Sequence, residues 1–454
     1  MKNAFMLGFG LLLAATACKT STQTSVETYT TDTARIDGHP AWIMQGNIYE
    51  VNVRQYTPEG SFAAFAKHLD RLKEMGVQTL WFMPIQPISK LDRKGVLGSY
   101  YAVSNYTDVN PEYGTLADWQ ALVDSAHAKG FKVIIDWVPN HTGADHYWLE
   151  KHPDFYVRDS ATGKAKFAFD WSDTRDLNYD NPELQDSMIN AMKFWLGTHI
   201  DGFRCDVAGE VPQAFWAKAV PALKAANPGI FMLAESNDSW LNEVGFDATY
   251  PWEEFSTMKK IASGEWKPSM LDSSQAKLAN YPANTLRMYF TSNHDENSWN
   301  KADWATMPGA VHAPFAVLTQ TWARSVPLIY SGQEEPFLDS IRFFYKDTIE
   351  FGKFARADFY KTLLNLRKNN AALSANASYA KVAAGDPNQV FSFCRAKDGQ
   401  KVLVVLNLSA KDATVAIQNP ALKGTATNVF TGAKEDPTAK PWKLEPWGYA
   451  VYSY

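Results

Sequence analysis

The stretch Asp201-Gly202-Phe203-Arg204-Cys205-Asp206 decides how this chain is read. An apolar patch carrying a glycine and an arginine runs straight into Asp206. Two more acids follow apolar runs. Glu235 closes Ile230-Phe231-Met232-Leu233-Ala234, and Asp295 follows Met288-Tyr289-Phe290-Thr291-Ser292-Asn293-His294. The gaps are 29 and then 60 residues. A strand-plus-helix unit of an eightfold barrel of about 250 residues takes about 30. The acids are therefore one unit and two units apart, and strand ends spaced in this way converge on one mouth.

Outward from this stretch, strand and helix patterns alternate with short links, which argues for a parallel sheet. Strands are predicted over 47–53, 77–84 and 131–138. Between them run apolar residues at helical spacing, over 62–75 and 116–129, each stopped by a glycine, Gly76 or Gly130. A helix over 182–198 opens at Asn181 with Pro182 in its first turn. Further strands fall at 202–205, 231–234, 244–249, 285–292 and 326–331, with helices over 211–226, 314–325 and 359–368. That makes eight strands. Asp206 lies 70 residues after Asp136, far more than one unit of about 30. The polar, aromatic, turn-rich stretch 142–180 is read as the insertion that takes up the difference, forming a wall of the cleft. After Ala372 the pattern turns to β: 389–396 and 401–408 flank the hairpin turn Asp398-Gly399, and 413–417 and 449–454 look similar. The expected architecture is an α/β chain. A (β/α)8 TIM barrel spans 41–372 with the insertion 142–180 after strand 3, and an antiparallel C-terminal β-sandwich domain spans 373–454.

The beginning of the chain reads differently. Lys2, an apolar run from Phe5 and small residues to Ala17 form a secretory signal over 1–17. Ala17-Cys18 resembles the end of a bacterial lipoprotein signal, in which the cysteine is acylated. Residues 18–40, Ser/Thr-rich from Thr20 to Thr33, read as a tether. The expected location is outside the cytoplasm, periplasmic or at the cell surface, with lipid anchoring through Cys18. The other two cysteines, Cys205 and Cys394, read as small apolar fillers. With 46% hydrophobic and 20% charged residues the chain as a whole reads as globular rather than disordered. A net charge of −5 leaves neither a nucleic-acid footprint nor a polybasic membrane patch. The sixteen tryptophans fit either a large core or platforms for flat ligands such as sugar rings.

Four blocks, in order, then become specific: Asp136-Trp137-Val138-Pro139-Asn140-His141, Asp201 to Asp206, Glu235, and Ser292-Asn293-His294-Asp295. Together they resemble the signatures of the α-amylase superfamily, glycoside hydrolase family 13. Tyr101-Ala102-Val103-Ser104-Asn105-Tyr106, the run from Gly76 to Pro84, and Gly332-Gln333-Glu334-Glu335 add support. The resemblance covers roughly residues 42–372. It implies a retaining α-glucan hydrolase acting on starch-like glucans or maltooligosaccharides. A transglycosylase using the same residues and a non-catalytic surface glucan-binding protein are the alternatives. Cleaving an acetal needs an acid for the leaving oxygen and an anion for the cationic transition state. By resemblance Asp206 is the nucleophile, Glu235 the acid/base and Asp295 the third carboxylate, which holds sugar hydroxyls. His141 and His294 match the histidines that bind the same sugar, Tyr101 the aromatic beneath it, and Asp136 the acid supporting the arginine. Arg204 and Asp206, two apart on a strand, share a face. The expectation is that Arg204 keeps Asp206 ionised while partial desolvation or a nearby negative charge keeps Glu235 protonated. The chemistry needs no cofactor. Asn140 resembles a position that ligates structural Ca²⁺ in many α-amylases; holding its loop is the other reading. The chain departs from the family in one place. Ala208-Gly209-Glu210 stands where many endo-acting members carry a Lys-His pair, which puts calcium and a plain endo pattern in doubt.

Overall fold

The computed structural model describes Met1 and residues 32–301, 306–336 and 339–454. The leader, Cys18 and most of the tether lie outside these described residues. Eight parallel strands form the centre: β1 (Ile48–Val51), β2 (Thr79–Phe82), β3 (Lys132–Trp137), β4 (Gly202–Cys205), β5 (Phe231–Ala234), β6 (Ala248–Thr249), β7 (Leu286–Arg287) and β8 (Leu328–Tyr330). Their spatial order is β7-β6-β5-β4-β3-β2-β1-β8. The ring closes between the two ends of that order. Arg287 N–H donates to the Arg324 carbonyl at 2.8 Å, Val326 N–H to Arg287 at 2.9 Å, and Leu328 N–H to Tyr289 at 2.9 Å. This is the expected barrel.

Local sequence explains the boundaries. Asn181 caps the helix Pro182–Leu196 by accepting from Glu183 and Leu184 N–H. Gly76 ends the helix Leu69–Met75 in the left-handed conformation, φ 101°. Gly202 has φ 154°, and a Cβ there would stand 2.0 Å from the Phe231 carbonyl oxygen. Only glycine lets β4 lie this close to β5. β6 and β7 are two residues each, shorter than the sequence predicts. Gly245, at φ 106°, turns the chain immediately before β6.

After β3 the chain makes an antiparallel pair, His141–Gly143 with Thr174–Asp176, around a short helix Trp148–Lys151. This insertion carries residues to the rim above the strand ends. Beyond the last barrel helix, Ala357–Asn369, the chain forms a six-stranded antiparallel sheet and a two-stranded one. Strand alternation gives the larger sheet two buried faces. Val402, Val404 and Leu406 pack into the core shared with the barrel, while Leu403 and Val405 pack with Ala413, Val415 and Leu444 beneath the smaller sheet. The Asp398-Gly399 turn has φ 50° and 79°, as a tight hairpin requires. Arg395, fully buried, reaches from this sheet into the barrel and donates to the carbonyls of Thr321 and Trp322. These end the helix His312–Thr321, whose C-terminal dipole favours a cation. Cys205 and Cys394 are buried free thiols.

At the opposite end of the strands, the N-terminal segment is pinned to the barrel floor. His39 Nδ1 lies 2.9 Å from Asp247 Oδ1, and its Nε2 lies 2.7 Å from the Asn284 carbonyl oxygen. Trp42 Nε1 donates to the Gly229 carbonyl at 3.1 Å. Gly229, Asp247 and Asn284 each stand just before a barrel strand, β5, β6 and β7 respectively.

Candidate active site

Register builds the centre. β3 and β4 pair so that Asp136 lies opposite Arg204, and β4 and β5 pair so that Cys205 lies opposite Ala234. Asp206 and Glu235 therefore leave neighbouring strands side by side. Arg204 is fully buried and serves three carboxyl groups. Its Nη1 lies 2.9 Å from both Asp136 Oδ1 and Asp206 Oδ1, and its Nη2 lies 3.0 Å from Glu235 Oε1. Nε donates to the Tyr250 hydroxyl at 3.1 Å. The rings of Trp81, Tyr101 and Tyr250 surround the guanidinium at 5.1, 5.8 and 5.5 Å. Two acids touching two nitrogens of one guanidinium stand close together.

This sharing sets the electrostatics of the group. Burial, followed by the adjacent Glu235, pushes the Asp206 carboxyl well above the usual range, and Arg204 lowers it only in part. Burial likewise raises Asp136 to about 6 against the pull of Arg204. Asp136, Asp206 and Glu235 compete for the one guanidinium, so Arg204 offsets the burial of Asp206 only in part. The expected Arg204–Asp206 contact is present, and burial and Glu235 oppose its pull on the Asp206 carboxyl. Glu235 Oε2 also accepts from Val207 N–H at 2.8 Å. Val207 holds φ 36° and ψ 44°, a left-handed conformation that costs a β-branched residue of order 1–3 kcal/mol. The strained turn points that N–H at Glu235.

The remaining predicted residues gather around the same cavity of about 470 Å³, whose lining includes Tyr101, His141, Asp206, Glu235 and Asp295. Asn293 caps the helix His294–Asn300, placing Asp295 in its first turn at the cavity wall. His294 Nε2 lies 2.7 Å from the Tyr101 hydroxyl and 3.3 Å from Asp295 Oδ2. Tyr101 donates to Asp136 Oδ2 at 3.1 Å. His141 is fully buried and held neutral, burial lowering its pKa to about 3. Its Nε2 has no protein partner among the described residues.

Sequence reasoning passed over Glu50. It stands in β1, fully buried, with Oε1 2.6 Å from His294 Nδ1. An acid inside an otherwise apolar strand was the available signal. Burial opposes charge on His294, but Asp295 and then Glu50 outweigh it and raise the imidazole to about 9. Burial raises Glu50 too, and the His294 charge pulls it down. The two share a proton held on the ring. His294 thus contributes stability that is complete below its ordinary 6.5 and lost as pH rises through about 9. Glu50→Gln removes one raising charge, so the imidazole pKa falls and that pH window narrows. An NMR titration of His294 unchanged by the substitution would refute the pairing. Trp171, Trp299 and Phe343, also lining the cavity, were likewise not singled out.

A second cavity, of about 400 Å³, is lined in part by Asn140, Asp176, Asn178, Asp180 and Glu210. Asn140 Nδ2 faces His141 Nδ1 at 3.4 Å, and Asn178 Oδ1 accepts from Asp180 N–H at 3.2 Å. Among the described residues no three His, Cys, Asp or Glu side chains gather to hold a metal, whereas calcium takes six to eight oxygens. Where the family's Lys-His pair would begin, a Cβ at Gly209 would meet the side-chain oxygens Asp238 Oδ2 and Ser236 Oγ at 2.7 Å, so those side chains would have to turn aside for a lysine.

Comparison with known proteins agrees with this geometry. The family model described as Alpha amylase, catalytic domain matches residues 30–171 and 154–357. The chain belongs to the α-amylase superfamily, glycoside hydrolase family 13. The Maltogenic Amylase, C-terminal domain model matches residues 381–451. Among α-amylase relatives, MalA of Haloarcula japonica is 26% identical over 83% of this chain and 57% of its own length. Neopullulanase 2 of Thermoactinomyces vulgaris is 28% identical over 82% of this chain and 67% of its own. The chain therefore spans little more than half of the first relative and about two thirds of the second. The crystal structure of an α-amylase from Lactobacillus plantarum superposes with a TM-score of 0.81 at 30% identity, covering 91% of this chain and 99% of that one.

Proposed function

We propose that this protein is a retaining α-glycosidase that hydrolyses α-1,4-glucosidic bonds in starch-like glucans or maltooligosaccharides. The observation that carries this is the placement of Asp206, Glu235 and Asp295 around one cavity, with Arg204 touching the first two. The retaining cycle starts with the proton on Glu235 and with Asp206 as the carboxylate. On substrate binding Glu235 delivers that proton to the glycosidic oxygen while the Asp206 carboxylate attacks the anomeric carbon. A glycosyl ester forms and the sugar leaving group departs protonated. Glu235, now a carboxylate, takes a proton from water, whose oxygen attacks the same carbon and frees Asp206. Arg204 stabilises Asp206 as an anion at the start and end of this cycle. Asp295 accepts from sugar hydroxyls, and His141 offers its unpartnered Nε2 to the same ring. Tyr101 supplies an aromatic surface.

The test is the configuration of the first product. Proton NMR during hydrolysis of maltoheptaose is expected to show the α-anomer before mutarotation; initial β-anomer would overturn the assignment. Products longer than maltoheptaose would mark transfer to sugar in place of water. The leader supports export and acylation at Cys18, so the glucan would be met outside the cytoplasm. Mass spectrometry of the mature N-terminus tests that reading.

A further inference from the structure

A file of rings runs from the His294 imidazole to the surface. Tyr101 stacks on His294 with centroids 5.4 Å apart, Phe343 lies 13° from parallel to Tyr101 at 6.3 Å, and Trp299 leans on Phe343 at 5.2 Å. Tyr101 is buried, whereas Trp299 is 55% exposed. The indole is nevertheless braced, for Phe344 packs against it from 5.8 Å. The brace is itself fixed. Arg54 Nη1 donates to the Phe343 carbonyl at 3.2 Å, and Leu97 N–H donates to the Phe344 carbonyl at 3.0 Å. Trp299 also lines the cavity that holds the three acids, and it sits on the short helix that carries Asp295.

A lone exposed apolar side chain needs no explanation. This one differs because two phenyl rings hold it and its open surface belongs to the site. The ring of a glucosyl unit is apolar on its C–H faces and stacks on an electron-rich aromatic face. We propose that Trp299 is a specificity-determining residue. It stacks a glucosyl ring next along the chain from the one held by Tyr101 and Asp295, so that the enzyme favours oligosaccharides over short substrates. A cavity of about 470 Å³ lies within the size range that encloses a drug-sized ligand, roughly two or three sugar rings. The inference rests on the glycosidase reading above and sets its preferred chain length.

Two substrates separate the roles. α-Glucosyl fluoride occupies only the position of the reacting sugar, while maltoheptaose extends beyond it. Trp299→Ala is expected to lower kcat/KM for maltoheptaose about tenfold, through KM, the size of one aromatic contact. It leaves glucosyl fluoride within about twofold, and Trp299→Phe restores most of the loss. Equal losses on both substrates would mean a merely structural role, and no loss on either would mean no platform. Each result overturns the proposal. Binding gives a readout independent of turnover. In an Asp206→Asn background, calorimetric Kd for maltoheptaose is expected to weaken about tenfold with Trp299→Ala, and an unchanged Kd also overturns it. Maltoheptaose bound but not cleaved by the unaltered enzyme would count against the hydrolase reading while leaving the platform standing. No binding by either protein would remove both.

Discussion

Asp206→Asn lowers kcat on maltoheptaose by at least about 10⁴-fold, the scale on which loss of a covalent nucleophile is felt. At the same time it raises the thermal midpoint at neutral pH. The two effects share one cause. Asp206 is buried next to Glu235, and its carboxyl is pushed well above the usual range first by burial and then by that neighbour. An acid whose pKa is higher folded than unfolded binds more protons in the native state. Stability therefore falls as pH rises from the ordinary carboxylate value toward the folded one. The neutral amide escapes this loss, so the variant is the more stable protein above about pH 4 and matches the parent below it. Calorimetry from pH 3.5 to 7.5 would show the gap open with pH. A thermal midpoint lowered or unchanged at pH 7 would contradict the electrostatic account, and retained kcat would contradict the chemical one.

Arg204→Met has the largest expected effect on stability. It leaves Asp136, Asp206 and Glu235 without the cation that touches all three. Stranding buried charge in this way costs about 3–5 kcal/mol. Methionine fills the space among Trp81, Tyr101 and Tyr250, so a cavity contributes little. The sign with pH follows from the same linkage. Without Arg204 the acids rise further, so the penalty is greatest near neutrality and shrinks as they protonate. Midpoints recorded at pH 4.5 and 7.5 check this. A deficit equal at both would show that Arg204 acts by packing and hydrogen bonding alone. Activity falls as well, because Asp206 loses the partner that stabilises it as an anion.

Much of this centre was visible in the chain itself. Arg204 and Asp206 are two residues apart on a strand, so their meeting needed only the strand's alternation. The spacing of Asp206, Glu235 and Asp295 needed only the length of a barrel unit. What escaped were contacts made across the barrel. Glu50 meets His294 over 244 residues, and Tyr250 meets Arg204 over 46, with no local pattern to announce either. Trp171 and Trp299 lie in segments without clear period, where a core aromatic and a sugar platform read alike. One strand showed Arg204 one partner; the barrel gives it three. The Ala208-Gly209-Glu210 departure was legible, but its neighbours were not, since Ser236 and Asp238 reach Gly209 from the loop after the next strand.

The hook made by His39 and Trp42 also has a bearing on handling the protein. It fastens residues 39–42 at the entrance of β5, β6 and β7, while Asp206 and Glu235 stand at the exits of β4 and β5. A bead or fusion partner joined directly at residue 35 therefore attaches on the side of the barrel away from Asp206 and Glu235. A partner fixed at that point leaves the doorway clear for bulky polymers.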